Sequence, residues 1–389
     1  MTAPKGKTAD LRFHDGKFRI MQVADTQDTQ ATSKDTLRFL AAALDRARPD
    51  LVVFTGDQFK GYGVSFLAGD RERNFEKAIG NLIAPFEERG VPFTFVFGNH
   101  DDQAFGISKE KQLKLYQAHK NCLAVAGDET LEGLCNQYLN IRSSDGERIV
   151  FNLYLIDSLS TTLDGRCASV TKGQIEWYRT VREYLREQAG DYVPSIVFQH
   201  IPVPEMWDVL KEVPKTHKPH AQGFRDHAGK FYDIDERVLV KGNCDFLLET
   251  PATPAENSGE FEAFSEKGDT LAMFFGHDHN NSFVARHGSM LLGYTQGCGF
   301  NVYGPRLNRG VRIIDLSEDD PKTFKTHTLL YRDLFTVKDI HNKPKYLLYS
   351  YAPPSVESVM PTLKKLGVAA AAAAVGGVLY AITKKSSRS

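Results

Sequence analysis

Leu271-Ala272-Met273-Phe274-Phe275 runs directly into Gly276-His277-Asp278-His279. An unbroken apolar run of this length reads as a strand buried in a sheet interior, and the glycine permits a sharp turn at its end. Side chains two apart on an extended segment project to the same side. His277 and His279 therefore present two imidazoles together, a good donor pair for one or two divalent metals. The plainer alternative is a turn that happens to hold two histidines.

The same grammar recurs along the chain. Phe18-Arg19-Ile20-Met21-Gln22-Val23-Ala24 ends in Asp25-Thr26-Gln27, and Leu51-Val52-Val53-Phe54-Thr55 ends in Gly56-Asp57. Pro92 to Phe97 ends in Gly98-Asn99-His100-Asp101, and Ser195 to Gln199 ends in His200. Each apolar segment stops at a carboxylate, amide or imidazole. Ligand sites of open α/β sheets lie beyond the carboxyl ends of the strands. These residues therefore describe one polar cluster at one sheet edge.

In that order the motifs Asp-x-(His), Gly-Asp, Gly-Asn-His-Asp, His and Gly-His-x-His resemble the signature of the calcineurin-like metallophosphoesterases, over residues 18 to 316. Gln27 is the departure, standing where the family usually has histidine. Gln199 to Glu205, Asn257-Ser258-Gly259 and Gly276 to Asn280 are similar to the purple-acid-phosphatase-like branch. True purple acid phosphatases add a metal-binding tyrosine three residues after the Gly-Asp aspartate. Here that position is Lys60, and Tyr62 comes two residues later. The resemblance implies an α/β fold, a four-layer αββα sandwich of two mixed β-sheets. It also implies a dinuclear metal site, without a ferric-tyrosinate centre.

The family pattern assigns Asp25, Gln27, Asp57 and His279 to one metal, and Asp57, Asn99, His200 and His277 to the other, with Asp57 as the bridge. Two such ions supply a hydroxide nucleophile at neutral pH and neutralise phosphoryl oxygens. The implied activity is hydrolysis of phosphomonoesters or phosphodiesters. With only Asp25 and Asp57 as carboxylates, positive charge is left over for an anionic substrate. The amide oxygen of Gln27 is a weaker, harder donor than imidazole, so two Mn²⁺ ions are expected ahead of Fe, Mg²⁺ or Zn²⁺. Gln27 could instead orient a metal-bound water, or be an ordinary surface residue. His100 resembles the family's catalytic histidine, able to stabilise phosphoryl oxygens or protonate the leaving alkoxide. Asp101 is expected to hold its other ring nitrogen. The plainer reading of His100 is a satisfied histidine in a tight turn. Arg225 is a candidate for bidentate phosphate binding. The alternative function is a catalytically weak or inactive, metal-stabilised binding or scaffold protein tethered to a membrane.

Composition fits a globular enzyme, with 41% hydrophobic and 25% charged residues. A net charge of −1 argues against a nucleic-acid surface and leaves a phosphorylated small molecule or phosphoprotein as the expected substrate. The five cysteines are scattered and odd in number, which suits free thiols in a reducing compartment. The N-terminal residues are polar and lack an apolar signal core, so a cytoplasmic location is expected. Leu366 to Ile382 is uncharged and flanked by Lys364-Lys365 and Lys384-Lys385. It reads as a marginal transmembrane anchor, or as an alanine-rich helix that packs on a partner or frays in water.

The domain reading follows. Residues 1–335 form the catalytic domain, with 206–256 as an insertion or cap loop carrying His217, His220, Arg225 and His227. Residues 336–361 read as a proline-bearing linker to an apolar tail at 362–389. Helices are expected over 34–48 behind Ser33, 71–89, 110–119 and 171–188, with a short one at 260–267 capped by Asn257. The glycines of 293–299 are expected to line the pocket wall, or to be an ordinary turn cluster.

Overall fold

The computed structural model describes residues 10–353. Its architecture follows from the two-residue period of its strands. In the Leu51–Thr55 strand, Leu51 and Val53 pack inward with Ile20, Val96 and Ile314. Val52 and Phe54 face the other way, against Phe39, Leu40, Phe86 and Tyr116. Strands buried on both faces need cover on both sides, and this gives layers.

The first sheet has the order Phe324–Leu330, Gly310–Ser317, Lys17–Val23, Leu51–Thr55, Phe93–Val96. Its last three strands are parallel, and the first two close one edge antiparallel. In the second sheet the order is Phe246–Leu247, Asn281–His287, Met290–Tyr294, Thr270–Phe275, Ser195–Phe198, Ile149–Leu155, Gln137–Arg142. Its four central strands are parallel. A shared core of Ile20, Val53, Phe151, Leu153, Ile196, Phe198 and Phe274 joins the two sheets face to face. Helices Lys34–Ala47, Arg71–Glu87 and Lys109–Gln117 cover the outside of the first sheet. Helix Lys172–Ala189 covers the second with Ile175, Tyr178, Val181 and Leu185. Each such fully buried side chain is worth roughly 2 kcal/mol. The result is the αββα sandwich of two mixed sheets.

Several local expectations meet their physical cause. Ser33 caps its helix by accepting from Thr36 N, and Arg48, in the left-handed region at φ 50°, ends it before Pro49. Thr171 and Gln174 form a full capping box. Asn257 does not cap the next helix. That helix, Glu260–Ser265, starts after Gly259 at φ 80°, and Asn257 Oδ1 accepts from Gly259 N in a turn instead.

Two domain readings need correction. The 206–256 insertion is not a bare loop. Leu210–Glu212, Phe231–Ile234 and Ala221–Gln222 pair into a small antiparallel sheet of their own. His217 pairs with Asp233 at 2.6 Å, and His227 stacks on Trp207 with centroids 3.7 Å apart. These histidines hold the insertion together. Residues 336–353 are not linker. Lys343–Tyr351 is a helix that buries Tyr346, while Ile340 just before it is buried in the same core. The apolar tail at 362–389 lies outside the described residues. Among those described, no helix is long and apolar enough to cross a membrane.

Candidate metal centre

The parallel strands of the two sheets deliver their carboxyl ends to one edge. Asp25 and Gln27 follow Lys17–Val23, Asp57 follows Leu51–Thr55, and Asn99 and His100 follow Phe93–Val96. From the second sheet, His200 follows Ser195–Phe198, and His277 and His279 follow Thr270–Phe275. The turns are tight enough to force left-handed backbone at Asp25, Gln27, Asp57 and His277, with φ of 51°, 32°, 53° and 72°. Strain of this kind costs on the order of 1 kcal/mol or more per residue and gathers at functional sites. Gly98 is required here. A Cβ on it would sit 2.1 Å from Asp57 Oδ1.

Asp57 is central. Its Oδ1 accepts from His100 N at 2.8 Å. Its Oδ2 lies 2.7 Å from Gln27 Nε2, 3.4 Å from His200 Nε2 and 3.9 Å from His100 Nε2. Ligand atoms of Asp25, Asp57 and His279 fall within 4.8 Å of one another. On the other flank His200 Nε2 lies 3.0 Å from Asn99 Oδ1 and 3.2 Å from His277 Nδ1. Both residue sets read from the sequence are thus brought together, and they share Asp57.

The donor chemistry fits cations. His200 Nδ1 donates to Thr55 O at 2.8 Å, and His279 Nδ1 donates to Tyr303 O at 3.0 Å. In the neutral rings this leaves the Nε2 lone pairs facing inward. There they meet carboxylate oxygens, Asp57 at 3.4 Å and Asp25 at 3.3 Å. Lone pair against lone pair is repulsive unless positive charge sits between them. A proton on the ring would meet the same demand for positive charge. Burial opposes charging of His200, yet Asp57 and Asp25 lift its pKa to about 10. Burial likewise opposes His279, and Asp25 raises it. His277 is held neutral, first by burial and then by the charge of His200.

Other residues stand differently from their sequence reading. His100 is half-buried, and its Nδ1 faces Gln103 Oε1 at 2.9 Å, not Asp101. Asp101 is fully buried and accepts from Phe59 N at 3.0 Å and Gly98 N at 2.9 Å. It braces the loop that carries Asn99 and His100. Burial, and then the charge of Asp57, raise its pKa to about 7. The catalytic reading of Asp101 is therefore corrected to a positioning one. Gly297 and Gly299 do not line the cavity. They back onto His279 and the Thr26 backbone, where a side chain has no room.

Contacts absent from the sequence reading complete the centre. Tyr62 Oη donates to Gln27 Oε1 at 3.1 Å, and its ring lies 4.4 Å from that of His100. Tyr303 stacks on His279 at 4.1 Å. Cys167 Sγ lies 3.6 Å from His277 Nε2. A cavity of about 810 Å³ opens over His100, His277 and His279. Trp207, Phe224 and Arg225 of the insertion line its far side, and Arg225 Nη2 donates to Gly165 O at 2.9 Å.

The calcineurin-like phosphoesterase family model matches residues 18–281, more than half of the chain. The chain belongs to that family. It is 27% identical, over 86% of its length and 88% of the relative's, to an Arabidopsis thaliana protein named "Probable inactive purple acid phosphatase 14". It is 30% identical to phosphatase DCR2 of Saccharomyces cerevisiae, over 52% of this chain and 37% of that one. Among solved structures it is similar to a dimetal phosphatase from Danio rerio, with 14% identity and a TM-score of 0.45, covering 81% of this chain and 99% of that one.

Proposed function

We propose that the protein is a metal-dependent phosphohydrolase acting on phosphomonoesters or phosphodiesters. The observation that carries this is the convergence of Asp25, Asp57, Asn99, His200, His277 and His279 around Asp57 Oδ2, with inward lone pairs that call for cations. Asp25, Asp57 and His279, with Gln27 beside them, would hold one divalent ion, and Asp57, Asn99, His200 and His277 a second. When bound, such ions neutralise phosphoryl charge and make water acidic enough to act at neutral pH. The carbonyls of Thr55 and Tyr303 keep His200 and His279 in the ligating tautomer. His100 is aimed by Gln103, so its Nε2 faces the centre and can hand a proton to the leaving oxygen. The insertion walls the cavity and limits water around the ester. Mn²⁺ remains the proposed metal.

One observation favours a second reading, a weak or inactive binding protein. Gln27 turns its amide nitrogen, not its oxygen, toward Asp57. In this reading, as in the first, residues 362–389 would tether the protein to a cytoplasm-facing membrane surface, supported by the uncharged run between lysine pairs.

Metal analysis of the purified full chain, with hydrolysis of nitrophenyl phosphate and bis-nitrophenyl phosphate under Mn²⁺, Mg²⁺, Zn²⁺ and Fe²⁺, decides between the two. Metal-dependent turnover supports the first reading. Bound metal without turnover on a broad ester panel supports the second. Fractionation with and without residues 362–389 tests the tether.

A further inference from the structure

One wall of the cavity is built by residues outside both ligand sets. Lys60 lines it together with Tyr62 and His100 on one side and Tyr349, Ala352 and Pro353 on the other. The last three lie beyond the stretch the family model matches. Lys60 Nζ is 4.9 Å from the centroid of the Tyr62 ring and 5.2 Å from that of Tyr349. Lys345 Nζ is 6.0 Å from the same Tyr349 ring. Two ammonium groups thus share one aromatic ring.

Among the described residues neither ammonium makes a hydrogen bond or a close ion pair, although the charge of Lys345 is felt by the buried carboxyl of Asp28. The other cations of the cavity are engaged. Arg166 pairs with Asp226 at 3.0 Å, and Arg225 donates to Gly165 O. The aromatic faces balance part of the charge of Lys60. They offer no acceptor oxygen to its three N–H donors, which face the cavity. Burial, and then the charge of Lys345, disfavour its charged form. The negative charge of an anion seated there would offset both effects.

Position decides which anion. The Tyr62 ring is near both groups, 4.4 Å from the His100 imidazole by centroids and 4.9 Å from Lys60 Nζ. Lys60 and His100 are therefore no more than one aromatic ring apart on the cavity wall, within reach of two charges on the same molecule. Resting on the phosphohydrolase reading, we propose that Lys60, backed by Lys345 and walled by Tyr62 and Tyr349, is a specificity subsite for a second anionic group on the substrate. Preferred substrates then carry two anionic groups a few bonds apart, one of them the phosphate that is cleaved.

The test compares propyl phosphate, 3-phosphooxypropanoate and propane-1,3-diyl bisphosphate on the full-length protein loaded with Mn²⁺. The intact protein should favour the bisphosphate over propyl phosphate by about tenfold or more in kcat/KM, the scale of one charge-assisted contact. The carboxylate arm shows whether the second charge must be a phosphate. Lys60→Met should collapse the preference through KM, Lys60→Arg should keep most of it, and Lys345→Met should erode it by less. No preference in the intact protein, or one that Lys60→Met leaves untouched, overturns the subsite. If no ester turns over, calorimetric binding of the same three compounds replaces kinetics. Equal affinities in the intact protein and in Lys60→Met, with melting temperatures unchanged, then overturn the subsite whatever the catalytic outcome.

Discussion

Tyr62 Oη donates to Gln27 Oε1 over 3.1 Å, and this bond turns the other end of the amide toward the metal centre. Gln27 Nε2 consequently lies 2.7 Å from Asp57 Oδ2 and 3.3 Å from His279 Nε2. An amide nitrogen has donors and no lone pair to give. The first proposed metal position is therefore one ligand short of the set the family pattern implies.

Gln27→His should restore that ligand. Affinity for the more weakly held ion is expected to rise by about tenfold, the scale on which changes around metal ligands act. Tyr62→Phe frees the amide to turn its oxygen inward, and should shift affinity in the same direction by less. Titration of the metal-free protein with Mn²⁺ reads both. Unchanged binding in Gln27→His would place the weakness elsewhere.

His100→Ala should lower kcat by about 10² to 10⁴, the range of a lost general acid. Metal content and melting temperature should hold, because its ring touches Tyr62 and Gln103 at the cavity and is half-exposed. Loss of metal along with activity would make His100 a ligand and not a proton donor.

Asp101→Ala leaves the amides of Phe59 and Gly98 buried without an acceptor. Each orphaned donor costs on the order of 1–3 kcal/mol, so denaturant melts should show a loss of about 2 kcal/mol or more. The pH profile of whatever folds should match the parent. A displaced acidic limb would return Asp101 to the chemistry.

Gly98→Ala drives a methyl group into Asp57, whose own nitrogen would lie 2.4 Å from the new carbon. Overpacking of this kind costs about 1–3 kcal/mol. Because the obstructed residue is shared by both ligand sets, elemental analysis should show both ions lost together. Selective loss of one would mean that Asp57 does not serve both.

Glu260 gives the fold a pH dependence away from the centre. Burial raises its pKa to about 8, and the charge of Glu205 adds to this. The folded state thus binds a proton more tightly than the unfolded chain does. Stability from this group is present below the unfolded pKa and falls as pH rises toward about 8. Glu260→Gln cannot ionise. It should melt close to the parent at pH 5 and above it at pH 9, by about 2 kcal/mol or more. A gap that does not widen with pH contradicts the assignment.

The strand-end residues were legible because two local signals coincide there. An apolar run says where a strand is, and an abrupt polar stop says what its carboxyl end presents. Asp25, Asp57, Asn99, His200, His277 and His279 were all readable on that basis, whereas the four-layer sandwich followed from the family resemblance those residues carry. Gln27 was legible as an oddity, though not the way its amide would turn.

The rest lay beyond a linear reading for a definite reason. Thr55 and Tyr303 set the histidine tautomers through backbone carbonyls, and any residue type carries one of those. Asp101 differs from a partner of His100 only in where its carboxylate points, a matter of loop geometry. Tyr349 reaches the cavity because the helix after the last strand folds back onto the core through Tyr346. The chain alone determined which chemical groups are available and at which sheet edge they emerge, since side-chain identity and strand period are local. Only the tertiary packing decided which of those groups face one another, because that depends on distances between segments hundreds of residues apart.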